Sequence, residues 1–276
     1  ANDGALFFKL TNDDYRVFRS QLDDLRAVLN GYKYYVSKSS IWYGIQTKQK
    51  KLAALPVKSE FTKGGYYIIQ EGNTKTFIRC GAYKDRPYQS DNLHIDIWID
   101  GNNVLRDNGS YQYNTSKELI NYFNGSKGHN TISIDGKDQM QKGDRFIWNY
   151  WIKYAKANLT ESQNKFVFNG EIKGFKHLDS NILHQRIVTK NKGLNEWIVK
   201  DTISGVENKT SFQYWHFSNE MIDKLSITSL DRNNKKLEPI LEEKWYSSYY
   251  GVKEKSTRLS FESNTNMFTT RITYKK

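Results

Sequence analysis

Apolar residues near the start of the chain recur at alternating steps of three and four: Tyr15, Phe18, Leu22, Leu25 and Leu29. This spacing places them on one face of a helix. Thr11 or Asn12 suits its cap, Asp13 and Asp14 suit the positive end of its dipole, and Gly31 suits the left-handed position just past its end. A second, shorter helix is expected over residues 40–52, where Ile41, Trp42 and Ile45 are apolar. Residues 1–55 thus read as a helical segment. After Pro56 the period changes. Short apolar or alternating runs recur between Gly, Asn and Asp, at 66–70, 76–83, 93–99, 131–134, 146–154, 165–172, 182–189, 196–203, 211–217 and 267–274. About ten or more strands at such spacing, with no long helix between them, imply stacked antiparallel sheets rather than a parallel α/β fold. The expected fold class is therefore mainly β, a large antiparallel β-sandwich over 56–276 preceded by a short α-helical segment. Asp100-Gly101-Asn102-Asn103 and Asp135-Gly136-Lys137 carry hairpin-turn chemistry.

Composition sharpens this picture. Hydrophobic residues make up 37% of 276, enough for a core, and 19 Tyr and 7 Trp against 3 Pro favour strands. The net charge of +12 favours polyanionic partners, which include nucleic acid, anionic lipid and acidic glycans. No block of like charges, recognition helix or RNP-like motif accompanies it, so nucleic acid is the weakest of these. Cys80 is the only cysteine, which excludes an intrachain disulfide and a thiolate metal cluster. It lies in an apolar run and reads as a small core residue. No stretch approaches the length of a membrane span. The start, Ala1-Asn2-Asp3-Gly4, is not a signal peptide and reads as a mature terminus or a cut inside a longer protein.

Polar groups concentrate between Arg86 and Asn130. Ile95, Ile97 and Ile99 alternate there with Asp96, Trp98 and Asp100, giving a strand with one apolar face. Asp91, His94, Asp107 and His129 fall near strand ends, where loops gather into sites. A His–Asp–His set suits Zn²⁺ or another borderline divalent ion, and equally a buried hydrogen-bond network. His216, His177 and His184 read as strand or loop residues. Trp42, Trp148, Trp151 and Trp215 suit core packing more than sugar stacking.

The same stretch resembles the β-sheet domain of the heparinase II/III-like polysaccharide lyases. In that family His-x-Asp-x-Leu precedes a strand, a Gly turn and Asp-x-Gly with tyrosines follow, and His-Asn-Thr opens the next strand. This chain has Gln89-Ser90-Asp91-Asn92-Leu93, Gly101, Asp107-Asn108-Gly109, Tyr111, Tyr113 and His129-Asn130-Thr131. His184-Gln185-Arg186 and Val199-Lys200-Asp201 resemble later strands. The likeness spans about residues 56–220. It implies that 1–55 are the last helices of an N-terminal helical toroid, most of which is missing here together with part of the catalytic machinery. It implies β-elimination on a uronic-acid polysaccharide, such as a glycosaminoglycan or alginate. The proton transfers and substrate orientation then fall to Tyr111, Tyr113 and His94, and substrate binding to Arg86, Gln89 and Asn130. The family's structural zinc, held by two His and one Asp, falls on Gln89, Asp107 and His129. Gln89 is a poor ligand, so His94 or water substitutes or the metal is lost. A further family histidine falls on Pro87.

Three other functions compete. A non-catalytic acidic-glycan-binding or structural module is consistent with the losses at positions 87 and 89. A glycoside hydrolase would use Asp91, Asp96 or Asp107. Nucleic-acid binding rests on charge and aromatics alone. The expected location is the bacterial cell envelope, periplasmic or secreted.

Overall fold

The computed structural model describes residues 18–35, 38–50 and 59–275. The expected caps at Thr11 or Asn12, and Asp13, Asp14 and Tyr15, lie outside them. The chain divides into two compact units, Ala1–Val57 and Lys58–Lys276.

In the first unit, helix α1 (Arg19–Asn30) ends as expected on Gly31, whose φ of 73° is left-handed and whose N–H donates to Ala27 O. Its apolar stripe is not its buried face. Leu22 and Leu29 are 60% and 71% exposed, whereas Asp23, Asp24 and Ala27 are buried. The cause is polar: the Asp23 carboxylate accepts the Tyr34 and Tyr35 backbone N–H groups and pairs with Arg26, and Ser39 Oγ donates to Asp24. The second expected helix is only Lys38–Trp42 (α2), followed by a two-residue parallel pairing of Tyr32–Lys33 with Lys48–Gln49. Trp42 is exposed, not packed.

Among the described residues the second unit holds three antiparallel sheets of four or more strands and one two-stranded pairing. The first contains β1 (Glu60–Phe61), β2 (Tyr66–Glu71), β3 (Thr74–Arg79), β4 (Ile95–Ile99) and β5 (Asn102–Leu105), in chain order. β6 (Ile132–Ile134) joins the four-stranded sheet. The large sheet runs through β7 (Ala155–Glu161), β8 (Lys165–Ile172), β9 (Leu183–Asn191) and β10 (Glu196–Ser204). Next come β11 (Ser211–Phe217), β12 (Leu225–Leu230), β13 (Lys236–Leu237), β14 (Ile240–Tyr246), β15 (Glu254–Ser263) and β16 (Met267–Tyr274). The large sheet has the order β7-β8-β9-β10-β16-β12-β13, and the four-stranded sheet β14-β15-β11-β6. Their inner faces share one core, with Ile97, Leu105, Phe168, Val188, Val199, Trp215 and Phe268 buried in it. The sequence alternation is visible directly in β8, where Phe166, Phe168, Gly170 and Ile172 point inward.

Both expected hairpin turns form. Asp100 and Gly101 have φ of 51° and 78°, and Asp135 and Gly136 have 49° and 68°, the pair of left-handed residues that a tight hairpin needs. The run at 146–154 is not a strand. Only Trp148–Asn149 pairs, with Gln141–Lys142, and Tyr150 turns left-handed. One helix escaped the sequence reading: α3 (Lys117–Asn124), capped by Ser116 Oγ on the Leu119 N–H. Leu119, Ile120 and Phe123 do carry helical spacing, but the helix spans only eight residues and fully buries only Phe123, so its period is short. No helix among the described residues is long and apolar enough to cross a membrane.

Candidate functional site

The loop between β3 and β4, the turn after β5 and the segment after α3 meet at one cluster. A short helical turn, Ser126–Gly128, carries α3 into His129. Leu93 has φ 60°, a conformation that costs a branched residue about 1–2 kcal/mol. It is held there from both sides: its N–H donates to Arg79 O (2.6 Å) and its carbonyl accepts from Arg186 Nη1 (2.6 Å). The same guanidinium donates to Asn130 O (2.5 Å). One buried arginine in the large sheet thus fixes the residues beside both His94 and His129.

Arg186 is itself held by Asp201 through two contacts of 2.7 Å. Asp201 also accepts from Gln213 Nε2 and His184 Nε2, both at 2.7 Å. The Asn130 side chain is a clamp of the same kind. Its amide donates to Ile95 O (2.8 Å) and Arg106 O (3.3 Å), and its oxygen accepts the His216 N–H (2.6 Å). Asn130 is fully buried and both amide protons are engaged.

His94, Asp107 and His129 come together, each offering a donor atom within 4.8 Å of the others. Asp107 Oδ2 lies 2.6 Å from His129 Nδ1 and 3.9 Å from His94 Nε2, and Asp107 Oδ1 accepts the Gly109 N–H at 2.7 Å. Gly109 is required here: φ is +81°, and a Cβ would sit 2.2 Å from Ser247 O. Burial disfavours the Asp107 carboxylate, but His129, His94 and the Gly109 N–H outweigh that and hold it well below the usual range. Burial likewise pushes His129 down, and Asp107 more than offsets it, so His129 lies above an ordinary histidine. Burial dominates at His94, taking it down to about 4, and at Asp96, taking it up to about 7.

The tautomer of His94 follows from its neighbours. The Asn130 backbone N–H donates to His94 Nδ1 at 2.9 Å. Nδ1 is therefore an acceptor, and the neutral ring carries its proton on Nε2, a buried atom with no hydrogen-bond partner. A metal-bound histidine donates its other ring N–H outward. At His94 a cation on Nε2 would set two N–H groups head to head. The Gln89 amide nitrogen lies 3.4 Å from the carbonyls of Gly109 and Phe123, where it acts as a donor. The spacing of the three residues is that of a cation site, but the donor chemistry is not. Asp107 and His129 alone are fewer than the roughly three or four protein ligands of a zinc site.

A cavity of about 520 Å³ opens beside this cluster, lined among others by Tyr66, Arg86, Gln89, His94, Asp96 and Asp107. Arg79 also lines it, but is taken up by Asp91 at 3.0 Å and lies against Tyr66 and Tyr83. Arg86 is exposed, lies over the Phe146 ring at 5.3 Å, and forms no ion pair among the described residues. Tyr111 and Tyr113 do not line the cavity. Tyr111 is left-handed (φ 57°) and packs on Phe123. Tyr113 sits in an exposed aromatic group with Tyr88, Phe146 and Tyr250.

His216 is a site residue that sequence reasoning placed in a plain strand. Its Nδ1 accepts from Asn108 Nδ2 (2.9 Å), which also reaches Tyr122 OH (2.5 Å), and its Nε2 is buried without a partner. Period-two alternation put it on a sheet and gave no sign of its neighbours. Trp148 and Trp215 are core residues.

The sequence pattern of the heparinase II/III-like C-terminal domain matches residues 54–275. No curated protein sequence matches the chain. Solved structures do. A heparinase III aligns with a TM-score of 0.69 at 16% identity, over 95% of this chain and 43% of that one. The heparan sulfate lyase HepC from Pedobacter heparinus aligns at 0.68 and 18%, over 94% and 42%. The chain thus spans about two fifths of the length of these structures, and at such identities they share its fold. With the pattern matched across nearly all of the β unit, the chain belongs to the heparinase II/III-like family, of which it carries the C-terminal domain.

Proposed function

We propose that this chain is the β-domain part of a polysaccharide lyase that cleaves a uronic-acid-containing acidic polysaccharide by β-elimination. The observation that carries the reading is the pairing, on one cavity, of a buried His94 Nε2–H without a hydrogen-bond partner and an Arg86 without an ion pair, both among the described residues. A buried, unsatisfied donor is costly, and a ligand oxygen would satisfy it. In the reaction the C5 proton of the uronate leaves to a base. Its electron pair passes through the C4–C5 bond, the C4–O4 bond breaks, and O4 leaves with a proton handed on by the protonated base or by water. Charge on the carboxylate rises on the way and must be met by donors. Arg86 supplies a cation for that carboxylate. His94 supplies a fixed N–H, either to the carboxylate or to the departing O4. Asp107 and His129 hold the loop that carries the site and set the local charge. Because the His94 nitrogen that faces Asp107 bears a proton, it acts as donor and not as base. The base is expected from the helical domain that the family places before this one, and Tyr111 and Tyr113 are not the first choice for it. A polymeric glycan is met outside the cytoplasm, which supports the bacterial envelope or secretion as the location.

The test is to assay the full-length protein on uronic-acid polysaccharides for 4,5-unsaturated products, which absorb in the near ultraviolet. Product is expected, and a His94→Gln protein should form it at least about 100-fold more slowly. A full-length protein that is inert on every uronate polymer would overturn the reading.

One observation favours a second reading, a glycan-binding module without turnover. Pro87 and Gln89 stand where the family resemblance places histidines. That reading expects binding to acidic glycans that weakens with salt, and no unsaturated product.

A further inference from the structure

Most charged side chains on the cavity are met by a neighbour of opposite charge: Asp107 by His129, and Arg79 by Asp91. Arg86 and Asp96 have no such partner among the described residues. The Asp96 carboxyl is bonded on one oxygen. Its Oδ2 accepts from Asn103 Nδ2 at 3.3 Å and from the Asp107 N–H at 3.4 Å, and the Trp98 side chain lies near. Its Oδ1 is buried with no hydrogen-bond partner among the described residues. Buried carboxyl oxygens are normally met, so this one is a place for a ligand donor. His94, two residues earlier in the chain, has the opposite need, because its buried Nε2–H lacks an acceptor. One unmet acceptor and one unmet donor thus belong to neighbouring side chains of the same cavity lining.

We infer that Asp96 selects among acidic glycans: its open oxygen takes a hydroxyl or amide N–H of the sugar in the cavity and rejects a sulfate ester at that position. The inference rests on the lyase reading and adds the substrate class, an unsulfated uronate polymer. A sugar hydroxyl both accepts and donates, and an acetamido N–H donates, so either satisfies Asp96 Oδ1 beside the group that His94 meets. A sulfate ester has oxygens and no proton. It can accept from His94 or Arg86, but it leaves Asp96 Oδ1 unmet and sets two negative groups against each other where little water screens them. Such a repulsion separates two ligands that share every attractive contact. The net charge of +12 draws sulfated and unsulfated glycans alike, so overall charge does not make this choice.

The test compares formation of unsaturated product by the full-length protein on two unsulfated polymers, a uronate–N-acetylhexosamine copolymer and a uronate homopolymer, each against its chemically O-sulfated form. A pH of about 8.5 keeps Asp96 charged, since burial raises it to about 7. In a pair that is cleaved, kcat/KM is expected to be at least about 30-fold higher on the unsulfated member. Asp96→Asn keeps the shape of the side chain, removes its charge and offers an amide N–H. It is expected to cut that ratio at least about tenfold, with Asp96→Ser as the second variant should the first not fold. A residue that only supported β4 would lower both rates alike and leave the ratio as it was. Equal rates on the two members of a pair, or faster cleavage of the sulfated one, would overturn the inference while leaving the lyase reading standing. So would a preference that survives both substitutions. No product from any of these polymers would overturn both.

Discussion

Two clusters in the β unit use the same residue types and end in opposite states. Around Arg186, an aspartate, a histidine and an amide are closed upon each other: Asp201 accepts four hydrogen bonds, and Arg186 donates to Asp201, Leu93 and Asn130. Around Asp107, the Nε2 atoms of His94, His129 and His216 are all buried without partners. His184 Nδ1 in the first cluster is unpartnered as well, so what sets the second apart is that His94 and Asp107 line a cavity while Arg186 and Asp201 are fully buried. The difference shows that residue identity does not separate a structural network from a site. An opening onto a cavity does.

The largest effect should come from breaking the closed cluster. Arg186→Met leaves Asp201 buried and uncompensated and releases the carbonyls of Leu93 and Asn130. A loss of about 3–5 kcal/mol in urea unfolding is expected. A loss under about 1 kcal/mol would mean that Arg186 does not hold the site loops.

Acid should separate the open cluster next. His94 titrates at about 4 in the folded protein and near its ordinary value of about 6.5 when unfolded. Between those values the unfolded chain binds the proton and the folded one does not. The contribution of a neutral His94 is therefore whole above about pH 6.5 and is lost as pH falls toward 4, by about 3 kcal/mol in all. Asp96, pushed up from 3.8 to about 7, acts in the opposite sense across this whole window. The reading must therefore be the difference between the wild-type chain and His94→Gln, whose amide oxygen can still accept the Asn130 N–H. Parallel stability curves for the two across this window would show that His94 is not held neutral by burial.

A smaller effect bears on the metal. Elemental analysis of the purified chain should find no stoichiometric zinc, and added zinc should leave the melting temperature unchanged. One zinc per chain, lost in His129→Ala, would contradict the tautomer assigned to His94. The smallest effect is at the rim: Arg86→Ala should weaken uronate binding about tenfold, or about 1.4 kcal/mol, and flatten its salt dependence. Unaltered affinity and salt dependence would remove Arg86 from the site.

The legible parts of this structure are local ones. Asp100-Gly101 and Asp135-Gly136 announce their turns because the left-handed pair is a property of two residues. β8, β11 and β16 follow from alternation. His94, Asp107 and His129 are legible from their places near strand ends, and the family pattern adds that Asp107 and His129 belong together. What escaped is long-range. Arg186 and Asp201 occupy inward positions of β9 and β10, where alternation expects apolar residues, and only their pairing across strands makes that possible. β7 and β14 lie at sheet edges with mostly half-buried or exposed side chains, so neither shows a buried period. The aromatic group around Tyr113 draws on segments up to 162 residues apart, from Tyr88 to Tyr250. In α1 the pattern gave the helix, but its apolar stripe is exposed and the buried face is set by two carboxylates and their hydrogen bonds.

The most direct measurement follows near-ultraviolet absorbance as full-length protein acts on uronic-acid polysaccharides, with His94→Gln alongside. The account predicts unsaturated product from the unaltered protein and at least about a 100-fold slower reaction in the variant. Binding without product on every uronate polymer, or equal rates in the two proteins, would contradict it.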